Sequence, residues 1–117
     1  MMFSVGTDIV AISRISEELA ERILSEEEKK IYNSFKSVKR KKEFVAGRFA
    51  AKEAFIKAYG EKNLDFKKIE FLKDENGKPI PGKKLKKLLN DIELQVSISH
   101  EKEYAIAVVI VLRRDEK

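Results

Sequence analysis

The chain contains no cysteine and a single histidine among its 117 residues. The first absence excludes a disulfide framework and any zinc–thiolate site, and the second excludes a histidine-rich metal site within one chain. A metal must therefore be held by carboxylates, and oxygen ligands favour a hard ion such as magnesium, calcium or manganese. Long apolar runs are missing as well. The longest, Tyr104 to Leu112, spans nine residues, against the ~20 that an α-helix needs to cross a bilayer. No basic segment followed by an apolar signal run opens the sequence, so a cytoplasmic protein with no membrane association is expected. Asn, Gln and Met are sparse beside abundant Lys and Glu, a balance that leans toward a heat-adapted source. Repeats, linkers and low-complexity stretches are absent.

Hydrophobic residues make up 43% of the chain and charged residues 38%, which predicts one folded domain over 1–117 rather than a disordered segment. With 25 basic and 20 acidic side chains the net charge is +5. That surplus favours an anionic partner: nucleic acid, an anionic cofactor or an acidic protein. The basic runs Lys39 to Lys42 and Lys83 to Lys87 could neutralise phosphates. However, the second alternates with leucines at helical spacing, and Phe44, Phe49 and Phe55 fall within a helix rather than on a platform for stacked bases. No nucleic acid is expected.

Period-two alternation over Met1 to Val10 sets Phe3, Val5 and Ile9 against Ser4, Gly6 and Asp8, and predicts a strand. Ser4 and Gly6 leave room over the Asp8 carboxylate, which reads either as a cap or turn residue or as a metal ligand. Ile12, Ile15, Leu19 and Ile23 predict an amphipathic helix. Ser25 and Glu28 form a capping box opening a second helix through Ile31, Tyr32 and Phe35. A long third helix follows Lys39 to Lys42 and ends near Gly60. On it, Arg48 with Lys52 and Glu53 with Lys57 are spaced four apart, so each pair shares a face. Glu53 and Lys57 are either an exposed ion pair or a carboxylate and a cation suited to share a metal and a phosphate.

Farther on, Ile69 and Phe71 predict a strand, Asn76-Gly77 a turn, and Lys83 to Leu89 a short basic helix. Leu94 to Ser99 and Tyr104 to Leu112, joined by His100 to Glu103, predict a β-hairpin. Both parities of the last strand are apolar, so it is expected to be central and buried on both faces. Arg113 to Lys117 reads as a solvated tail.

Five motifs follow one another along nearly the whole chain: Gly6-Thr7-Asp8-Ile9-Val10 with Arg14-Ile15; Leu24-Ser25-Glu26-Glu27-Glu28; R-F-A-A-K-E-A-F-I-K-A-Y-G from Arg48 to Gly60; Gly77-Lys78-Pro79; and Ser97-Ile98-Ser99-His100 with Tyr104-Ala105-Ile106-Ala107. In these the chain resembles the holo-(acyl carrier protein) synthases, the short bacterial class of 4′-phosphopantetheinyl transferases. It departs at Ala11, where many relatives carry an acid, and at Glu101, where they often have a small polar residue.

The resemblance implies an α+β fold, with an antiparallel sheet packed against a long central helix and shorter helices around it. It implies magnesium-dependent transfer of phosphopantetheine from coenzyme A to a serine of apo acyl carrier protein, in fatty acid biosynthesis. By the same resemblance Asp8 and Glu53 would hold magnesium, and Arg48 and Lys57 would meet phosphates. Gly77, Lys78, Pro79, Ser99 and His100 would line the coenzyme A site. Glu53 and His100 would be the catalytic residues, with Glu53, His100 or a coordinated water as the general base. Arg14 and Arg22, set around Ile15, Leu19 and Ile23, would contact the acidic carrier. A homotrimer with coenzyme A sites between subunits is implied too. The rival reading is a small basic interaction module, binding RNA, in which Asp8 and Glu53 serve structure alone.

Overall fold

Residues 2–90 and 92–114 are described by a computed structural model. Met1 of the expected first strand and residues 115–117 of the expected tail lie outside the described residues. Strand β1, Met2–Ala11, pairs antiparallel with β5, Tyr104–Arg113, which pairs antiparallel with β4, Ile92–His100, giving the order β1-β5-β4. The fold is α+β, as expected: the sheet lies on the long helix α3, Val38–Tyr59.

α3 and β1 approach closely because the inner side of the helix is built from alanine. Ala46, Ala50, Ala51, Ala54 and Ala58 are all buried, and β1 meets them with Gly6. A Cβ at Gly6 would overlap the Ala54 carbonyl oxygen, so glycine alone lets the strand seat here. The helix is stopped at both ends by local chemistry. Ser37 caps the start by accepting from the Arg40 amide at 2.9 Å, and Gly60 closes the end at φ 88°, the left-handed conformation that glycine adopts without penalty.

The smaller elements cover the other side of α3. A 3₁₀ turn at Ile12–Arg14 precedes α1, Glu17–Ile23, so the expected first helix is split where Ser16 becomes the cap of α1. The Ser25–Glu28 capping box is present in full and opens α2, Glu26–Ser34. Strands β2, Phe71–Lys73, and β3, Pro79–Pro81, form a short hairpin across the Asn76-Gly77 turn. There the Asp74 carboxylate accepts from the Asn76 and Lys78 amides at 2.9 Å. The basic segment forms α4, Lys83–Leu88.

α2, α3 and β2 meet around a charged core. The side chains of Lys52 and Glu28 are fully buried. Lys52 Nζ donates to both Glu28 oxygens, at 2.8 and 3.0 Å, and to the Phe66 and Ile69 carbonyls. Glu28 also accepts from the Ser25 and Phe71 amides, while Ser25 Oγ donates to buried Glu70 at 2.5 Å. Burial lowers the Lys52 pKa from its ordinary value, and the Glu28 carboxylate opposes that shift.

Two expectations are corrected. β5 is central, but only Ala105, Ala107, Val109 and Val111 are buried against α3; Tyr104, Ile106 and Ile110 are exposed. One helix layer covers one face of a sheet, and no described element covers the other. Arg113, expected in the tail, belongs to β5, stacks on the Tyr59 ring and donates to the Tyr59 carbonyl oxygen.

Candidate active site

Asp8 and Glu53 come together because β1 crosses α3 at Gly6. The next inward-facing residue along the strand is Asp8, and Glu53 and Lys57 stand one helical turn apart on α3. Lys57 Nζ donates to the Thr7 carbonyl at 2.9 Å and lies 3.2 Å from Asp8 Oδ1. The Glu53 pKa is raised from its ordinary value. Partial burial is the main cause, the negative charge of Asp8 adds to it, and Lys57 works against it. Two carboxylates and one ammonium therefore share a partly open position with one negative charge in excess.

Such a donor set fits a magnesium ion, which takes one or two carboxylates and fills its shell with water and substrate phosphates. Among the described residues no three His, Cys, Asp or Glu side chains gather into a closed metal cage. A cation between the two carboxylates would remove the repulsion that Asp8 imposes on Glu53.

A second polar cavity of about 230 Å³ opens at the N-terminal half of α3, lined by Arg40, Phe44, Arg48, Lys73, Gly77 and His100 among others. It holds three of the residues read from the sequence: Arg48, Gly77 and His100. Asp8, Glu53 and Lys57 do not line it. Arg48 and Glu53 are five residues apart, about 140° around the helix, so one chain presents them to different sides. Arg48 is buried, donating to the Phe71 and Leu72 carbonyls at 2.9 Å and stacking 4.5 Å from the Phe44 ring. Burial lowers its pKa to about 10, which leaves it charged. It thus ties β2 to α3 and offers the cavity a positive wall.

Other predicted residues separate. Ser99 and His100 lie on opposite faces of β4: His100 pairs with buried Ala105, whereas Ser99 pairs with exposed Ile106 on the open face. Lys78 and Pro79 border a different groove with Gln95 and Ser97. Of the carrier-contact set, Arg14 and Arg22 are exposed and Leu19 half-buried, but Ile15 and Ile23 are 5% and 2% exposed. The apolar stripe of α1 is its core stripe, so only the arginines and part of Leu19 face outward. Arg40 and Lys73 were not singled out as site residues. Arg40 sits in the basic run Lys39 to Lys42, a signal of charge without a direction, and Lys73 carries no local signal.

A family model of the 4′-phosphopantetheinyl transferase superfamily matches residues 4–109. The chain belongs to this superfamily. A holo-[acyl-carrier-protein] synthase from Geobacillus sp. (strain WCH70) is 48% identical over 97% of the chain and 98% of its own length. The crystal structure of a holo-(acyl-carrier-protein) synthase from Bacillus anthracis in complex with CoA (3′,5′-ADP) superposes with a TM-score of 0.82 and 40% identity, covering 95% of this chain and 96% of that one. A Chronobacterium ammoniagenes complex with CoA gives 0.80 and 31%, covering 98% and 100%. Among the described residues of this transferase, no helix is long and apolar enough to cross a membrane.

Proposed function

We propose that this transferase moves the 4′-phosphopantetheine group of coenzyme A onto a serine hydroxyl of an apo acyl carrier protein, in the cytoplasm and in the service of fatty acid biosynthesis. The observation that carries the reading is the Asp8–Glu53–Lys57 cluster, in a member of a superfamily whose relatives are crystallised with coenzyme A. The serine oxygen bonds to the phosphorus that bears pantetheine, the bridging P–O bond breaks, and adenosine 3′,5′-bisphosphate leaves. Asp8 and Glu53 would hold magnesium, which supplies charge neutralisation on the pyrophosphate. Lys57 sits at the same position as a cation for phosphate oxygens. Glu53, His100 or a coordinated water would accept the serine proton.

The open sheet face supports assembly of identical chains. Phe3, Val5 and Ile9 on β1 are 60–69% exposed, and Val5 and Ile9 pair with exposed Ile110 and Ile106 on β5, so the apolar surface is continuous. Monomers rarely leave such a surface to water. A trimer closes it and brings the Arg48–His100 cavity of one copy beside the Asp8–Glu53 cluster of the next, joining two half-sites that a single chain keeps apart. Exposed Arg14 and Arg22 give an acidic carrier its landing charges, so Arg14→Ala raises the KM for carrier far more than that for coenzyme A.

The test is incubation with coenzyme A, magnesium and apo carrier, read by mass spectrometry. A phosphopantetheine increment on the carrier supports the reading, and no increment across several carriers removes it. Light scattering showing only monomer at assay concentration overturns the trimer.

A further inference from the structure

Lys52 and Lys57 differ in how firmly they are held. Lys52 is fully buried and has four acceptors for three N–H donors, so its ammonium has nowhere else to go. Lys57 Nζ has two acceptors, the Thr7 carbonyl at 2.9 Å and Asp8 Oδ1 at 3.2 Å, and its side chain is 56% exposed. Among the described residues its third donor meets no acceptor, and the second Asp8 oxygen meets no donor. An exposed ion pair of this kind holds weakly, so the ammonium can leave Asp8 for another anion.

The tether is nevertheless aimed. Thr7 directly precedes Asp8 on β1, so the carbonyl that anchors Lys57 belongs to the same strand segment as the carboxylate its ammonium covers. The same charge reaches Glu53: burial and then Asp8 raise the pKa of that carboxyl, and Lys57 opposes them. One ammonium therefore acts on both carboxylates of the donor set. A divalent ion on those carboxylates meets that charge within a few ångströms, a repulsion worth roughly tenfold in affinity even at the dielectric of water. A phosphate draws the ammonium the other way, because its oxygens are charged acceptors like the carboxylate and coenzyme A brings several of them.

We propose that Lys57 is an internal competitor for the metal: tethered to the Thr7 carbonyl and Asp8, its ammonium weakens divalent-ion binding until the phosphates of coenzyme A draw it off, so that metal and coenzyme A bind cooperatively. This rests on the phosphopantetheinyl transfer proposed above, and it concerns affinity rather than the chemical step. The coupling is reciprocal. The factor by which coenzyme A tightens metal binding is also the factor by which metal tightens coenzyme A binding. A direct bond between metal and pyrophosphate couples the two as well, so the share that belongs to Lys57 is the part that disappears with its charge.

The experiment titrates wild type, Lys57→Met and Lys57→Arg with Mn²⁺, with free ion counted by electron paramagnetic resonance, in the absence of carrier. Each titration is run without coenzyme A and with saturating coenzyme A, and a titration of coenzyme A alone corrects for ion held in solution. Where Lys57→Met fails to fold, Lys57→Gln takes its place. Without coenzyme A, Lys57→Met is expected to bind Mn²⁺ about fivefold more tightly than wild type, while Lys57→Arg, which keeps the charge, stays within about twofold. The factor by which coenzyme A tightens Mn²⁺ binding should be about fivefold smaller in Lys57→Met than in wild type. Equal or weaker Mn²⁺ binding by Lys57→Met without coenzyme A overturns the proposal, and so does a Lys57→Arg variant that binds as tightly as Lys57→Met. Tighter Mn²⁺ binding by Lys57→Met with an unchanged coupling factor overturns it too, since the ammonium then stays on Asp8 when coenzyme A arrives. Absence of transfer by wild type overturns both this inference and the function beneath it, whereas transfer by wild type with unaltered coupling in Lys57→Met overturns the inference alone.

Discussion

Within two turns of α3, two lysines meet carboxylates under opposite conditions. Lys52 and Glu28 have fully buried side chains, and every hydrogen-bonding position on both is engaged by the other or by main chain. Lys57 and Asp8 have side chains 56% and 20% exposed, joined by one 3.2 Å contact, with Glu53 beside them and no described residue bonded to its carboxylate. The same residue types thus form a closed cluster and an open one. A closed polar cluster contributes specificity and order, because breaking it strands a buried charge. An open one holds uncompensated charge ready for a cation and an anionic substrate, at some expense of stability. The superfamily's chemistry is proposed for the open cluster, and the closed one ties α2 and the α3–β2 connection to α3.

The largest expected effect falls on the closed cluster. Lys52→Met leaves Glu28 buried without its partner, and unfolding free energy drops by about 3–5 kcal/mol in urea titration. Adding Glu28→Gln restores only part of that loss: no charge is then stranded, but the Gln amide nitrogen cannot accept a main-chain N–H as the carboxylate did. The open cluster should respond the other way round. Glu53→Gln lowers the transfer rate at least about a hundredfold, comparable to removal of a single group that stabilises transition-state charge, with the urea midpoint unmoved or slightly raised. Equal destabilisation by Lys52→Met and Glu53→Gln would erase the distinction between the two.

Only part of that distinction could be read from the amino-acid order. Caps and turns are local, so Ser25–Glu28, Gly60 and Asn76-Gly77 were legible with their elements, whereas the sheet packed on a long helix came from the family resemblance. The partner of Lys52 was not: Glu28 lies 24 residues away, and within α3 Lys52 shows only a four-residue spacing to Arg48, which suggests a solvated face. Arg48 likewise spends its donors on carbonyls of β2, a tertiary contact with no local sign. The separation of Ser99 from His100 was available, since neighbours in a strand point to opposite faces. The burial of Ile15 and Ile23 follows from the same helical stripe that suggested a partner face, because a stripe reveals a buried side without revealing what buries it.

A smaller perturbation acts on the geometry that keeps the open cluster together. Gly6→Ala forces β1 away from the Ala54 carbonyl, with a stability loss of about 1–3 kcal/mol, as for other overpacked sites. Because Asp8 is two residues along the strand, transfer should fall as well. Hydrogen exchange at the Phe71 amide, bonded to Glu28, should remain slow. Fast exchange there would show that the two clusters are not independent.

The smallest effect is electrostatic. Glu53 is raised by burial first and by Asp8 second, with Lys57 opposing. Removing the negative neighbour in Asp8→Asn should therefore lower the Glu53 pKa while burial keeps it above the ordinary value, and removing the positive neighbour in Lys57→Met should raise it further. Carboxyl-carbon NMR titration of metal-free protein reads both directly. The sign carries to stability. A carboxyl whose folded pKa exceeds its unfolded one holds its proton to higher pH in the folded state, so stability falls as pH rises from the ordinary carboxylate value through the raised one. That fall should shrink in Asp8→Asn and widen in Lys57→Met. In Lys57→Met the acid limb of the pH–rate profile should move to higher pH, because Glu53 must be ionised to hold a cation or accept a proton. If Glu53 titrates identically in both variants, burial alone sets its pKa, and the open cluster loses the charge coupling that separates it from the closed one.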